Sequence, residues 1–352
     1  SSRSKLNPRK LMQEIAYLNS SFAVHPQLNI YEKSEIWDCT TCSTCSYRCP
    51  RQVKPLDVLI GLRSLLVERG DVPRTLMDVL EGVFKYGNPW GLSRNKRSDW
   101  AKDLKVKYVS EGERAELLYF VGCVASYDSR AQKIAVATVK NLNTVGTEFS
   151  IMGNKETCCG NEIYSLGEKG LFEELAETNL SLFDQYGVQN IVTTSPHCFH
   201  AFKNRYPKKL QVQHCTQYFA DLIDSGKLNF SQKIEKTVTY QDPCFLGKHN
   251  SVYDEPRKII ESIPGLKLVE LGKSRSRSVC CGGGGGGMWH DMPGGRLAEA
   301  RVREALEVGA EIVIVACPFC LLTFEDAIKT TDSEGKIQVI DIMELVAQAL
   351  CV

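Results

Sequence analysis

Nine of the fifteen cysteines fall into two sets that repeat in frame. Cys123, the pair Cys158–Cys159 and Cys198 recur as Cys244, the pair Cys280–Cys281 and Cys320, at offsets of 121, 122, 122 and 122 residues. The second set adds Cys317, in C-P-F-C, where the first has Ser195, in S-P-H-C. A repeat at a fixed period means one structural unit used twice. The stretches between the thiols repeat as well. ELLYFVG and TVTYQDP read as buried strands ending at Cys123 and Cys244. Helical stretches follow (SRAQKIAVATVKNL and EPRKIIESI), then short strands (TEFSIM and LKLVEL) leading to the cysteine pairs. Longer helices come next (EKGLFEELAETNLSLFDQYG and GGRLAEARVREALEVG), then NIVTTSPHC and EIVIVACPFC, strands ending in the last cysteines. Strands alternating with helices predict parallel sheets. In open α/β sheets ligands gather at the carboxyl ends of the strands, where every repeat cysteine falls.

Fifteen cysteines without an export signal argue for metal ligation or redox chemistry rather than a disulfide scaffold. The opening SSRSKLNPRK lacks the apolar core of a secretory signal, and the missing initiator Met leads us to expect residues upstream. The longest nearly apolar run, residues 312–322, includes a proline and is too short to span a bilayer. A net charge of +1 gives no argument for a nucleic-acid partner.

A third cysteine cluster precedes the repeats. Residues 39–50 read CTTCSTCSYRCP, placing Cys39, Cys42, Cys45 and Cys49 at C-x2-C-x2-C-x3-C before Pro50. This is the bacterial-ferredoxin spacing for a [4Fe–4S] cubane. Zinc sites more often use separated C-x2-C pairs or Cys with His. In two-cluster ferredoxins the fourth Cys ligates the other cluster. Here Cys49 closes a single cube or a partner motif lies upstream. The flanks, LNPRKLMQEIAYL and PLDVLIGLRSLLVERG, read as helices, with Pro55 suited to a helix start.

The second copy runs from its cysteine pair straight into six glycines, Gly282 to Gly287. Glycine loses most entropy on folding, so such a run implies positive φ or a bulky neighbour. The run lacks the Lys-Ser/Thr of a P-loop. Five thiolates exceed a tetrahedral zinc shell, so the second copy favours iron–sulfur, while the four thiols of the first suit a cubane or zinc.

The two C-C-G triplets, each preceded by a Cys and followed by a C-x2-C or its remnant, resemble the cysteine-rich CCG domains of heterodisulfide reductase. With the ferredoxin-like motif in front, the layout is similar to the D-type component of that enzyme, a fusion of its C-type and B-type components. It also resembles iron–sulfur subunits of sulfite reduction and of glycolate or lactate oxidation. The resemblance implies an α/β fold of two tandem parallel-sheet CCG domains (113–232 and 233–352) behind an all-α ferredoxin-like [4Fe–4S] domain (1–112). It implies a noncubane [4Fe–4S] cluster on Cys244, Cys280, Cys281, Cys317 and Cys320, with Gly282, Gly283 and Gly284 passing over it. The Ser195 departure leaves Cys123, Cys158, Cys159 and Cys198 with a second cubane, zinc or an altered cluster, since a Ser oxygen is a poorer iron ligand than thiolate.

The function this implies is an oxidoreductase in which electrons enter at the ferredoxin-like motif and reduce a disulfide, or oxidise thiols, at the second repeat. The alternative is a relay between a flavoprotein and a quinone or cytochrome, without a disulfide substrate of its own. Clusters relay electrons but do not split a two-electron donor, so a flavoprotein or membrane cytochrome partner is expected, docked beside the motif on its flanking helices. The expected location is cytoplasmic, peripheral to the inner face of the membrane through that partner. His249, near Cys244, is the first candidate for proton donation to a leaving thiolate; it, His197 and His200 equally suit a supporting or surface role. Lys273, Arg275 and Arg277 read as a solvated loop or an anion site, and Cys215 and Cys351 as inert thiols.

Overall fold

The computed structural model describes residues 6–20, 33–110, 116–291 and 294–352. Residues 1–5, part of the opening segment considered for a leader, lie outside them. Two parallel sheets organise the chain. The first holds β1 (Lys107–Tyr108), β2 (Leu117–Phe120), β3 (Ser150–Ile151), β4 (Asn190–Thr193) and β5 (Gln211–His214) in the order β1-β3-β2-β4-β5. The second holds β6 (Lys236–Tyr240), β7 (Leu266–Leu268), β8 (Ile312–Val315) and β9 (Gln338–Asp341) in the order β7-β6-β8-β9. Without β1 the two orders are the same, so the cysteine repeat is a repeat of fold. β1 lies inside the range expected for the helical domain but pairs with β3 of the first sheet.

The strand sequences explain the layers. β8 is IVIV, and all four residues are buried, as a central strand covered on both faces requires. In β2 successive side chains point to opposite faces. Leu118 and Phe120 face the core shared with the N-terminal helices, while Tyr119 faces the core shared with the second repeat. Each is 0% exposed, and burying such a side chain stabilises by roughly 1.5–3 kcal/mol.

The N-terminal part contributes helices Pro8–Ser20, Pro55–Glu68 and Arg74–Tyr86. Pro55 occupies the first turn of the second, where its missing N–H costs nothing. The third, absent from our reading of the sequence, buries Leu76, Val79, Leu80 and Val83 at helical spacing and stops at Gly87 in the left-handed region.

The two repeats hold each other reciprocally. The last helix of the second, Ile342–Leu350, packs on the first repeat's helix Gln132–Thr144, and Cys215–Asp224 of the first packs on Asp254–Ser262 of the second. Arg130 adds an ion pair to Glu344 at 2.9 Å and another to Glu325. No helix among the described residues is long and apolar enough to cross a membrane.

Candidate metal centres

Strand ends deliver the thiols. Cys123 opens a short helix after β2, and Cys198 lies in the first turn of Pro196–Asn204 after β4. Cys244 follows β6; Cys317 caps Pro318–Thr330 after β8, and Cys320 lies in its first turn. Proline opens both of these helices, so strand passes to helix within two residues. The C-C-G triplets share one device. Gly160 at φ 78° and Gly282 at φ 104° turn their amides back onto the first thiol of each pair, with N–H to Cys158 Sγ at 3.4 Å and to Cys280 Sγ at 3.3 Å. Only glycine takes such φ values without strain, which is why G follows C-C.

In the second repeat all five thiols are 2–8% exposed. Cys244 and Cys280 lie 3.9 Å apart, and Cys281 and Cys320 3.3 Å apart. Burial pushes the Cys317 thiol up, but hydrogen bonds from Cys320 and His197 outweigh it and hold its pKa at about 5. His197 comes from the first repeat. Its Nδ1 meets Glu162 Oε1 at 2.7 Å. Burial disfavours the imidazolium, yet the Glu162 carboxylate raises its pKa to about 10. The structure therefore puts His197, not His249, beside a thiol of the second set. His249 Nε2 instead meets Thr41 O at 2.9 Å, its ring stacks on Phe245, and burial lowers its pKa to about 4. His200 stands between, edge-on to His249.

In the first repeat the thiols run Cys123–Cys158–Cys159–Cys198, each neighbouring the next closely enough to shift its pKa. A cavity of about 40 Å³ opens among them, walled by Trp289 and Phe319 of the second repeat. Arg97, 2% exposed, donates to Cys123 Sγ at 3.5 Å and to Glu156 at 2.6 Å. Glu156 is fixed by the amides of Val121 at 3.0 Å and Gly122 at 2.9 Å. Ser195 Oγ accepts from the Cys198 amide at 3.4 Å and caps its helix, whereas Cys317 makes no such cap bond.

The N-terminal motif lies against the second repeat. Cys42 stands beside Cys280, and this neighbour together with burial drives the Cys42 thiol far up. The Thr41 amide donates to Cys39 Sγ at 3.4 Å, and burial lifts Cys39 to about 11 despite the Arg63 charge. Arg63 is 0% exposed and binds only carbonyls: Ile36, Trp37, Cys39, Ser165 and Gly285, at 2.8–3.2 Å. It ties the cysteine loop to both repeats. The sequence offered one sign of it, an Arg on the apolar stripe with Leu59, Ile60 and Leu66. Arg97–Glu156 and Glu162–His197 left no local signal, because their members are 59 and 35 residues apart.

Within the protein the glycine run passes close to several of the chain's own groups. A Cβ at Gly283 would lie 3.2 Å from Met288 Sδ, one at Gly284 2.9 Å from Thr40 O, and one at Gly285 would overlap Cys39 O. At Gly284 and Gly285 the bulk against the run is the chain's own cysteine loop.

The donor sets fit iron–sulfur chemistry. All fifteen cysteines are free thiols, the three sets are purely sulfur, and backbone amides already point at three of the sulfurs.

Known proteins resemble the chain. The CCG cysteine-rich domain matches residues 117–203 and 238–325. The chain is 40% identical to the probable iron-sulfur-binding oxidoreductase FadF of Bacillus subtilis, covering 92% of this chain and 47% of that protein. It is 33% identical to the EtfAB:quinone oxidoreductase of Syntrophomonas wolfei, covering 90% and 46%. The chain thus spans about half the length of these two relatives. Against the D-type component of the dihydromethanophenazine:CoB–CoM heterodisulfide reductase of Methanosarcina barkeri it is 34% identical, covering 98% of this chain and 88% of that one. With two CCG repeats and a heterodisulfide reductase relative matched over nearly its whole length, the chain belongs to the D-type heterodisulfide reductase family of iron–sulfur oxidoreductases.

Proposed function

We propose that the protein is an iron–sulfur electron-transfer unit of a redox complex. The N-terminal motif and the second repeat act as consecutive stations. The observation that carries this reading is the Cys42–Cys280 contact, which leaves no protein layer between the two thiol sets. Cys39, Cys42, Cys45 and Cys49 would hold a cubane, and Cys244, Cys280, Cys281, Cys317 and Cys320 a noncubane [4Fe–4S] cluster. Cys123, Cys158, Cys159 and Cys198 would hold a four-thiolate cubane or zinc, because the Ser195 hydroxyl is engaged in capping. Bound clusters would supply one-electron transfer.

The chain's own residues do the rest. Arg63 fixes the cysteine loop against the glycine run. Glu162 orients His197 so that its ring faces Cys317 and holds a proton there. The aromatic rings of Phe245 and Phe319 pack on His197 and keep water from that face.

Two terminal reactions compete. Disulfide reduction draws on the protonated His197 beside Cys317. Relay from a flavoprotein to a quinone or cytochrome draws on the 2–8% exposure of all five thiols, which leaves a disulfide little room to approach. The burial favours the relay, on the cytoplasmic face of a membrane complex. The test is anaerobic purification, iron and sulfide analysis, and EPR during titration with a heterodisulfide and, separately, a quinone. Zinc without iron in the second repeat overturns the proposal; a substrate-dependent radical signal with the heterodisulfide alone overturns the relay.

A further inference from the structure

The rim of the N-terminal motif carries positive charge out of proportion to a chain of net charge +1. Residues 43–54, around Cys45 and Cys49, contain Arg48, Arg51 and Lys54 and no acid; residues 272–279 contain Lys273, Arg275 and Arg277 and no acid. The fold brings the two segments together through Arg48 Nη2, which donates to Arg277 O at 3.3 Å. All six cations are exposed. Arg275 is neutralised by Asp254 at 2.6 Å. Among the described residues the other five have no carboxylate partner.

In their midst stand Tyr47, 48% exposed, and Val53, 38% exposed. Cys45 and Cys49 are half-buried, unlike the thiols of either repeat. Each segment also holds a non-glycine residue in the left-handed region, Gln52 at φ 55° and Arg275 at φ 52°. Such backbone is strained and persists where the surroundings impose it. Charge repulsion and strain both work against this arrangement, and among the described residues only Asp254 offsets the charge.

We infer that this rim is the docking surface for an acidic redox protein, with Tyr47 and Val53 at its centre and Arg48, Arg51, Lys54, Lys273 and Arg277 around them. The inference rests on the electron-transfer reading above, since a partner there would face Cys45 and Cys49, the half-buried thiols of the N-terminal motif. Complementary charge steers encounter and sets orientation more than it adds affinity. A phospholipid surface would meet the same cations but has no use for half-exposed cluster thiols at their centre. The contact expected from the sequence lies on the flanking helices, residues 5–18 and 55–70; the charge pattern places our proposal on the loop between the cysteine motif and Pro55–Glu68 instead.

The test uses the full chain with its clusters and a flavodoxin, a small acidic flavin protein, as probe. The variant is Arg51→Glu, Lys54→Glu and Arg277→Glu combined. The control is Lys133→Glu, Lys140→Glu and Lys209→Glu, exposed lysines elsewhere. Reduction of the wild type by flavodoxin hydroquinone is expected to slow about tenfold between about 0.02 and 0.2 M salt. The variant should be about tenfold slower at low salt and lose the salt dependence, with the control within about twofold of wild type. Reduced methyl viologen should reduce all three equally. Equal flavodoxin rates in variant and control overturn the inference. So does a variant that loses only its binding to phosphatidylserine vesicles. If methyl viologen reduces none of the three, the electron-transfer reading itself has failed. Docking is then decided by calorimetry with oxidised flavodoxin, where an unchanged or absent affinity rejects it.

Discussion

The least expected single residues are buried charges. Arg97 and Glu156, each 2% exposed, form an ion pair beside Cys123. A buried pair rarely stabilises much beyond an apolar isostere, but removing one partner strands the other at a cost of about 3–5 kcal/mol. Arg97→Met should therefore lower unfolding free energy by about that amount in urea titrations. Arg97→Met with Glu156→Gln should recover most of the loss; no recovery would mean that Arg97 acts on the thiols instead. His214 makes a second test. It is 0% exposed, bonded to Thr194 O at 3.1 Å, and burial depresses its pKa from 6.5 to about 4. The folded state thus binds the proton less readily than the unfolded one. The contribution of His214 to stability should be level above pH 6.5, fall between 6.5 and about 4 by an amount on the order of 3 kcal/mol, and level off below. His249, depressed to the same value, adds to that window, so His214→Asn should make the slope shallower without abolishing it, and an unchanged slope would assign it to other groups.

Among elements, the glycine run and the cysteine loop behave as one unit although more than half the chain separates them in sequence. Gly285→Ala combines positive φ with overlap of the Cys39 carbonyl, so the loop must move and Arg63 must lose carbonyl partners. Gly309→Ala also has positive φ, 73°, but open space around it, and isolates the backbone penalty of about 1 kcal/mol. Iron content after anaerobic purification should fall in the first variant and hold in the second. Equal loss would show that strain, not the close approach, decides. The sequence was legible where its signals are local. The apolar runs in β2, β6 and β8 announced themselves, and the cysteines fell at their ends. β5 and β9, QVQH and QVID, were not legible because edge strands face solvent and carry polar residues. The glycine run could be read as needing a close neighbour, but not which one. His249 drew attention because it follows Cys244 in sequence, while His197 reaches Cys317 only because the repeats face each other. Contacts across a pseudo-symmetric interface have no period to read.

For the whole molecule, the reciprocal helices decide whether the repeats are two folding units or one. Leu345 and Val346 on Ile342–Leu350 are 0% exposed and share a core with Ile134 and Val139 of the first repeat, also 0% exposed. Asn141 Nδ2 donates to Met343 O at 2.8 Å across the same boundary. A unit whose terminal helix completes its neighbour cannot unfold without exposing that neighbour's core. Leu345→Ala should cost about 2–5 kcal/mol, the usual range for a buried leucine. The informative readout is where the loss appears. Hydrogen exchange followed by mass spectrometry gives opening free energies for β2 in the first repeat and β8 in the second. If the halves are one cooperative unit, the two strands share the same value in the wild type and drop together in Leu345→Ala. A drop confined to β8 would make the repeats independent domains. The Cys42–Cys280 contact would then rest on docking between parts that can separate, rather than on a single core.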